Sequence, residues 1–143
     1  MKGINPYRIA SVLLVFFAVS HTMGGLYGKH DYGPAAEAVW RGMNEVQFTA
    51  LGSRSTWYGF WIGFGLYVTV FLIFSSVTAW CLGGLPSETR RKLGPICWAL
   101  FGSQVLNAYL SWTYFFVLPG VMATVISALI GFECARDTMR RTG

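Results

Sequence analysis

The sequence predicts an all-α membrane protein: a bundle of four transmembrane helices, with an amphipathic interfacial helix between the first and second spans. Three observations favour this class. Hydrophobic residues make up 54% of the chain and charged residues only 12%, which would leave a soluble domain too little polar surface. Basic residues concentrate at segment ends that would share one side of a membrane. Apolar segments of spanning length occur at about 9–27, 57–82, 93–117 and 119–135.

Each predicted span is expected to be α-helical, because lipid offers no partner to a free backbone N–H or C=O group. About 20 residues cross roughly 30 Å of hydrocarbon, so the first three segments are long enough. The fourth is short and is predicted to begin at Pro119, since proline suits the first position of a helix. Lys2 and Arg8 before the first segment also fit a signal peptide. No cleavage site with a hydrophilic domain follows, so the segment is interpreted as a span.

The stretch between the first two spans contains a predicted interfacial helix over about 34–51. Gly33-Pro34 is typical of a helix start, and Gly52-Ser53 is a plausible stop. Four apolar residues would share one face of this helix: Val39, Met43, Val46 and Ala50. Three charged residues would share the opposite face: Glu37, Arg41 and Glu45. The charged face points either to water or into an opening between the spans, which the helix would then cover as a lid.

The basic residues predict an orientation. Eight of the eleven Lys and Arg residues would lie on one side of the membrane: Lys2, Arg8, Arg90, Arg91, Lys92, Arg136, Arg140 and Arg141. The positive-inside rule then puts both termini in the cytosol, for a multi-pass protein of the plasma membrane or endoplasmic reticulum. This pattern accounts for the net charge of +5, so no nucleic-acid partner is expected.

Three cysteines fall near the predicted cytosolic face: Cys81, Cys97 and Cys134. An odd number of thiols on a reducing side argues against a disulfide framework, and we interpret them as buried structural residues. Glu133, near the same end of the fourth span, is predicted to pair with Arg136 or Arg140 on its own helix. A metal site made of the three thiols is the alternative to structural cysteines, and the structural interpretation is the one favoured, so no metal is expected.

His21 is the ionisable residue that attracts a functional hypothesis, because it lies about six residues below the outer end of the first span, ~9 Å deep at helical rise. Other polar and aromatic residues should reach the same outer half of the bilayer: Arg54, Trp57, Tyr58, Trp61, Gln104, Asn107 and Ser111. Polar groups avoid lipid, so they should point inward, where they pair or line a cavity. An aromatic belt and hydrogen bonds between helices are the structural alternatives.

This inventory favours proton-transfer chemistry on a lipophilic small molecule. A histidine donates and accepts a proton near neutral pH, and Glu45 could serve as its partner, so His21 and Glu45 are the predicted catalytic residues. The seven polar and aromatic residues of the outer half, from Arg54 to Ser111, are the predicted substrate-binding residues. The expected reaction is a cofactor-independent isomerisation or cyclisation of a terpenoid, sterol or polyketide-like substrate. One alternative is a non-enzymatic scaffold subunit of a larger membrane complex, with Gly59 and Gly63 contacting a partner or a second copy. A small transporter is the other.

Two short motifs carry a resemblance. The chain resembles a family of small four-span membrane proteins with His-Thr-x-Gly late in the first span and an aromatic-glycine segment in the second. Here these are His21-Thr22-Met23-Gly24 and Gly63-Phe64-Gly65-Leu66. In architecture the chain is also similar to the emopamil-binding and sigma-2-receptor type, some members of which isomerise sterol double bonds with acidic and histidine residues. The family that carries the two motifs supplies no function; the architectural similarity, which rests on helix count and an ionisable pocket, favours an isomerase.

Overall fold

A computed structural model describes residues 5–28 and 31–139, and these are predominantly helical. Three helices are long and apolar enough to cross a membrane: Pro6–Leu26, Trp57–Gly84 and Val117–Met139. The prediction of an α-helical, membrane-type protein is therefore confirmed. Four residues of the charge count lie outside the described residues: Lys2, Lys29, Arg140 and Arg141.

The first apolar segment forms helix α1, Pro6–Ser20, and continues into a π-helical turn, His21–Leu26. The sequence predicts one regular helix here, so the wider turn is a departure. Its local cause is the Thr22 hydroxyl, which donates to the Ala18 carbonyl at 2.8 Å, just before two glycines that weaken the α-helical preference. The π-helical turn therefore begins at His21, the residue that the sequence marks as functional.

The predicted helix over 34–51 is wrong in its second half. Helix α2 covers Pro34–Glu45, and strands β1, Gln47–Ala50, and β2, Ser53–Thr56, pair as an antiparallel hairpin. In their register Gln47 lies opposite Thr56, and Ala50 lies opposite Ser53.

The turn of this hairpin explains the difference. Leu51 and Gly52 have φ angles of 50° and 79°, and positive values at both central residues match the twist of a two-residue hairpin loop. Gly52 therefore reverses a strand instead of ending a helix. The strand also carries Phe48 against Trp57 of the following helix, with ring centroids 4.7 Å apart.

The remaining chain forms four helices. The third predicted span, 93–117, is also helical. It is not among the three helices that are apolar enough to cross a membrane, because Gln104 and Asn107 lower its mean hydropathy. The fourth begins two residues before Pro119, and proline is tolerated in a first turn. The four are α3, Trp57–Gly84; α4, Ser87–Lys92; α5, Gly94–Tyr114; and α6, Val117–Met139.

The described residues form two compact units, and the first consists of residues 5–17 and 72–139. Its interior is partly polar. Ser11 of α1 and Ser76 of α3 share a 2.9 Å hydrogen bond. Helices α5 and α6 pack closely, since a Cβ on Gly131 would lie 2.5 Å from the ring of Phe101. Many large apolar side chains point outward instead, as expected for a surface that meets lipid.

The second unit consists of residues 18–28 and 31–71. It joins the π-helical turn, α2 and the hairpin to the first half of α3. Leu26 packs so tightly on Gly65 that a Cβ at that glycine would overlap its side chain. Thr22 and Thr69 share a hydrogen bond of 2.9 Å between their hydroxyls.

Candidate functional site

His21, the predicted catalytic base, makes a hydrogen bond to backbone. Its Nε2 lies 3.0 Å from the carbonyl oxygen of Gly65, so Nε2 carries the proton and donates. The ring is half-buried, and a Cβ on Gly25 would lie 3.7 Å from its Nδ1. His21 therefore links the π-helical turn to α3 through its Nε2. Its Nδ1 has no hydrogen-bond partner among the described residues.

Glu45, its predicted partner, ends α2 and is exposed. Within residues 5–28 and 31–139, no hydrogen bond or ion pair joins Glu45 to His21. Arg54 is likewise exposed, on β2. The structure thus does not bring the predicted catalytic pair into contact.

The three predicted aromatic binding residues pack against other rings. Tyr58 and Trp61 stack at 5.9 Å, and Trp40 of α2 meets their edges at 5.8 and 5.2 Å. Trp57 packs against Phe48 of the hairpin. Trp40, which was not among the predicted binding residues, is the ring that attaches α2 to α3.

The polar residues of α5 lie inside the first unit. Gln104 is fully buried, and its Nε2 donates to Ser75 Oγ at 3.0 Å. This contact is a hydrogen bond between helices, the structural alternative to a binding role. Ser111 is buried as well. Gln104 Oε1 and Asn107 Nδ2 are buried with no hydrogen-bond partner among the described atoms.

A second cluster, which lies in the first unit, was not predicted as a site. Arg90 of α4 is buried and grips Asp137 of α6 with two hydrogen bonds, Nε to Oδ2 at 2.7 Å and Nη2 to Oδ1 at 3.0 Å. Its Nη1 also donates to the Leu85 carbonyl at 2.7 Å. The hydrogen bond to Asp137 raises the pKa of Arg90 above its ordinary value, against the opposing effect of burial. Arg90 therefore remains charged, and its guanidinium group is held in one orientation by these hydrogen bonds.

A further ion pair lies one turn away on α6. Glu133 is 0% exposed, and Arg136 Nη2 lies 2.7 Å from its Oε2. The predicted pairing of Glu133 with Arg136 is confirmed. Buried carboxylates at positions 133 and 137 therefore sit on one face of the helix, each held by an arginine.

Two thiols and a phenol lie beside these charges. Cys97 of α5 and Cys134 of α6 are each 2% exposed. The Tyr7 hydroxyl of α1 lies 3.5 Å from Cys134 Sγ, and Cys97 interacts with both groups. The expectation that these two cysteines are buried is confirmed, whereas Cys81 is exposed.

A cavity of about 840 Å³ opens beside the cluster, and we call it the basic-end cavity. Its charged lining consists of three cations and two anions, a net charge of +1. The lining residues come from α4, the start of α5 and the end of α6: Glu88, Arg90, Arg91, Lys92, Gly94, Pro95, Cys97, Trp98, Cys134, Asp137 and Thr138. The lining of the basic-end cavity thus combines charged side chains, two thiols and apolar surface.

One signal in the sequence could have located this cluster. The buried face of α6 follows Ala123, Ile126 and Ile130 at spacings of three and four, and the same spacing continues to Glu133 and Asp137. An apolar stripe that runs on into two carboxylates indicates buried charges, which need cationic partners.

No protein-family model, curated protein or solved structure matches the chain. What the fold and the site define is a class: a predominantly helical protein of membrane type, with a charged, thiol-bearing cavity among the ends of its helices.

Proposed function

We propose that this chain is a four-span integral membrane protein that binds a lipophilic molecule with an anionic head group in the basic-end cavity. The observation that carries the proposal is the cavity itself, a space of about 840 Å³ with a net positive lining at the ends of apolar helices. Basic pockets between transmembrane helices suit the head groups of anionic lipids.

The four-span part of the proposal depends on α5. This helix has 21 residues, which rise roughly 31 Å, enough to cross the hydrocarbon core. Its most polar residue, Gln104, hydrogen-bonds to Ser75 inside the unit and so is shielded from lipid. Only residues 115 and 116 separate α5 from α6, so a membrane-spanning α6 requires a neighbour that returns through the same bilayer.

Four spans put the start of α1, the helix α4 and the end of α6 on one side. Most of the basic residues are found there, and the positive-inside rule makes that side cytosolic. Both termini and the basic-end cavity then face the cytosol, at the level of the inner lipid head groups of a plasma membrane or endoplasmic reticulum.

Within the cavity the residues divide their roles. Arg90 is held by Asp137 and shapes the wall, whereas Lys92 is exposed and shares only a 3.8 Å contact with Glu88. Arg91 and Lys92 are the residues we assign to the head group. Trp98 supplies an aromatic surface of the kind that favours the membrane interface, along which an acyl or isoprenoid chain would pass.

The test measures lipid binding by the full chain in detergent. Phosphatidylglycerol and phosphatidylcholine serve as probes, and native mass spectrometry counts retained lipid. Wild type should retain phosphatidylglycerol preferentially, and the double variant Arg91→Gln/Lys92→Gln should bind it about 30-fold more weakly, since each basic residue contributes about 1 kcal/mol.

The matched control is Arg41→Gln/Arg54→Gln, which removes two exposed cations on α2 and β2. It should leave lipid binding unchanged. Inorganic phosphate is added as a competitor, because displacement at millimolar phosphate would assign the site to a free anion instead of a lipid. Equal retention of both lipids, or equal losses in both double variants, would refute the proposal.

The isomerase or cyclase hypothesis stands as a second proposal, and the π-helical turn is the observation that favours it. Such turns occur frequently at functional sites, and here His21 Nδ1 has no hydrogen-bond partner among the described residues. The variant His21→Gln retains an N–H donor near the position of Nε2 for the Gly65 carbonyl but cannot transfer a proton near neutral pH. If His21 is catalytic, lipophilic extracts of cells with this variant should accumulate an unconverted metabolite, as measured by mass spectrometry.

The scaffold alternative rests on Gly59 and Gly63 of α3. A Cβ on Gly63 would meet no described atom within 4 Å, so this position is open to a partner helix or a second copy. Contact through these glycines remains a prediction.

A further inference from the structure

We propose that Cys97 and Cys134 form a two-sulfur site for one soft monovalent metal ion, of the copper(I) and silver(I) class, in the wall of the basic-end cavity. The two residues come from different helices, α5 and α6, and both line the cavity. Each is 2% exposed, and their side chains interact with each other and with the Tyr7 hydroxyl. This inference does not rest on lipid binding.

The ligand set selects the class of metal. Thiolate sulfur is a soft ligand that prefers copper(I) over hard cations such as magnesium or calcium. Across residues 5–28 and 31–139, no group of three or more His, Cys, Asp or Glu side chains is arranged to hold a metal ion. Structural zinc takes four such ligands, whereas copper(I) and silver(I) are satisfied by two sulfur atoms in line.

The net charge of the side chains around the thiols is opposite to the net charge of the metal complex that would form. Two thiols that bind one monovalent cation release two protons and leave a complex with a net charge of −1. The cluster holds four cationic and three anionic side chains, a net charge of +1: Arg90, Arg91, Lys92, Arg136, Glu88, Glu133 and Asp137. The metal complex would bring the cluster to neutrality, so no uncompensated charge would remain beside the two buried thiols.

Two further features support an open, stabilised site. The cavity gives an ion a route to both sulfurs from the basic end of the helices. The Tyr7 hydroxyl lies 3.5 Å from Cys134 Sγ, within reach to donate a hydrogen bond to the metal-bound thiolate. Partners of this kind orient the ligands of a metal site.

Cys81 provides the control that the chain itself offers. It lies on α3, is exposed, and is not among the residues that line the cavity. A metal that merely reacts with any thiol would bind Cys81 first, whereas the proposed site uses the two buried thiols and leaves Cys81 alone.

The full chain is purified in detergent, freed of reductant under an inert atmosphere, and titrated with silver(I) and with copper(I) held by a competing chelator. Native mass spectrometry should find one tightly bound ion in wild type and in Cys81→Ser. Cys97→Ser and Cys134→Ser should each weaken binding at least about 100-fold, since loss of an outer partner alone lowers metal affinity by 10- to 100-fold.

A second measurement covers the case in which a serine variant does not fold. In wild type, Cys97 and Cys134 should react with a small, membrane-permeant maleimide slowly, over hours, because they are buried and are reached only through the cavity. One equivalent of silver(I) should slow this alkylation further and leave the rate at the exposed Cys81 unchanged, as mapped on peptides by mass spectrometry. Binding lost in Cys81→Ser, or equal alkylation of Cys97 and Cys134 with and without the metal, would overturn the proposal.

Discussion

Arg90 is buried, yet each of its guanidinium nitrogens donates a hydrogen bond, and this pairing depends on the planar shape of the group. Two of its nitrogens bond to the two carboxylate oxygens of Asp137, while a third bonds to the Leu85 carbonyl. A planar guanidinium supplies these directions at once, whereas the ammonium group of lysine cannot. The contact fastens the short helix α4 to the end of α6.

Removing one partner of this pair should be strongly destabilising. Asp137→Asn keeps the volume but leaves the Arg90 charge buried and unmatched, so we expect the free energy of unfolding to fall by about 3–5 kcal/mol. Circular dichroism during chemical unfolding in detergent measures the change.

Glu88→Gln is the matched control, because Glu88 and Lys92 form an exposed pair 3.8 Å apart on the same helix. Exposed pairs contribute about 0–1 kcal/mol, so this change should be nearly neutral. Equal effects of the two substitutions would mean that Arg90 is hydrated in solution.

At the scale of elements, glycines determine how closely α5 and α6 pack. A Cβ at Gly120 would lie 2.6 Å from the Trp112 ring, and one at Gly131 would lie 2.5 Å from the Phe101 ring. By contrast, a Cβ at Gly102 of α5 would meet no described atom within 4 Å. The first two glycines therefore contact a partner helix, and the third does not.

This contrast predicts opposite signs for the same substitution. Gly131→Ala should lower the stability by about 1–3 kcal/mol, because the Phe101 ring must move. Gly102→Ala should raise it by up to about 1 kcal/mol, since alanine is the better helix former. Thermal unfolding of the two variants side by side measures both effects, and destabilisation by Gly102→Ala would show that this face is covered by something else.

The elements also mark what could be predicted from the sequence. Apolar runs of bilayer length force helices, so the helices of the four predicted spans begin and end within a few residues of their predicted positions. The hairpin was missed because Gly52-Ser53 is equally typical of a helix stop and a strand turn. His21 was selected by its depth in the first span, and Glu45 was paired with it on the assumption that the interfacial helix turns its charged face inward as a lid. Sequence periodicity does not fix which way such a face turns. The Arg90–Asp137 pair was missed because its partners lie 47 positions apart, and nothing in the local sequence brings α4 onto the end of α6.

At the scale of the whole molecule, the proposed topology makes a prediction about accessibility. The hairpin turn at Leu51 and the exposed Thr89 of α4 should lie on opposite sides of the membrane. A membrane-impermeant maleimide applied to intact cells should label Leu51→Cys, and should label Thr89→Cys only after permeabilisation.

Both variants are made in the Cys81→Ser background, where the two remaining cysteines are buried. That background without an added cysteine serves as the control for labelling. Labelling of both introduced cysteines from one side would rule out α3 as a single transmembrane span and would refute the proposed four-span arrangement.

The ion pair between Arg90 and Asp137 also has a consequence for the synthesis of the chain on the ribosome. Its partners are 47 positions apart. At a synthesis rate of about 5–20 residues per second, Arg90 waits roughly 2–9 s for Asp137 to leave the ribosome. During that interval the nascent protein carries an unmatched cation. Closure of this ion pair thus follows the synthesis of almost all of α6, so the burial of Arg90 is a late event in the making of the protein.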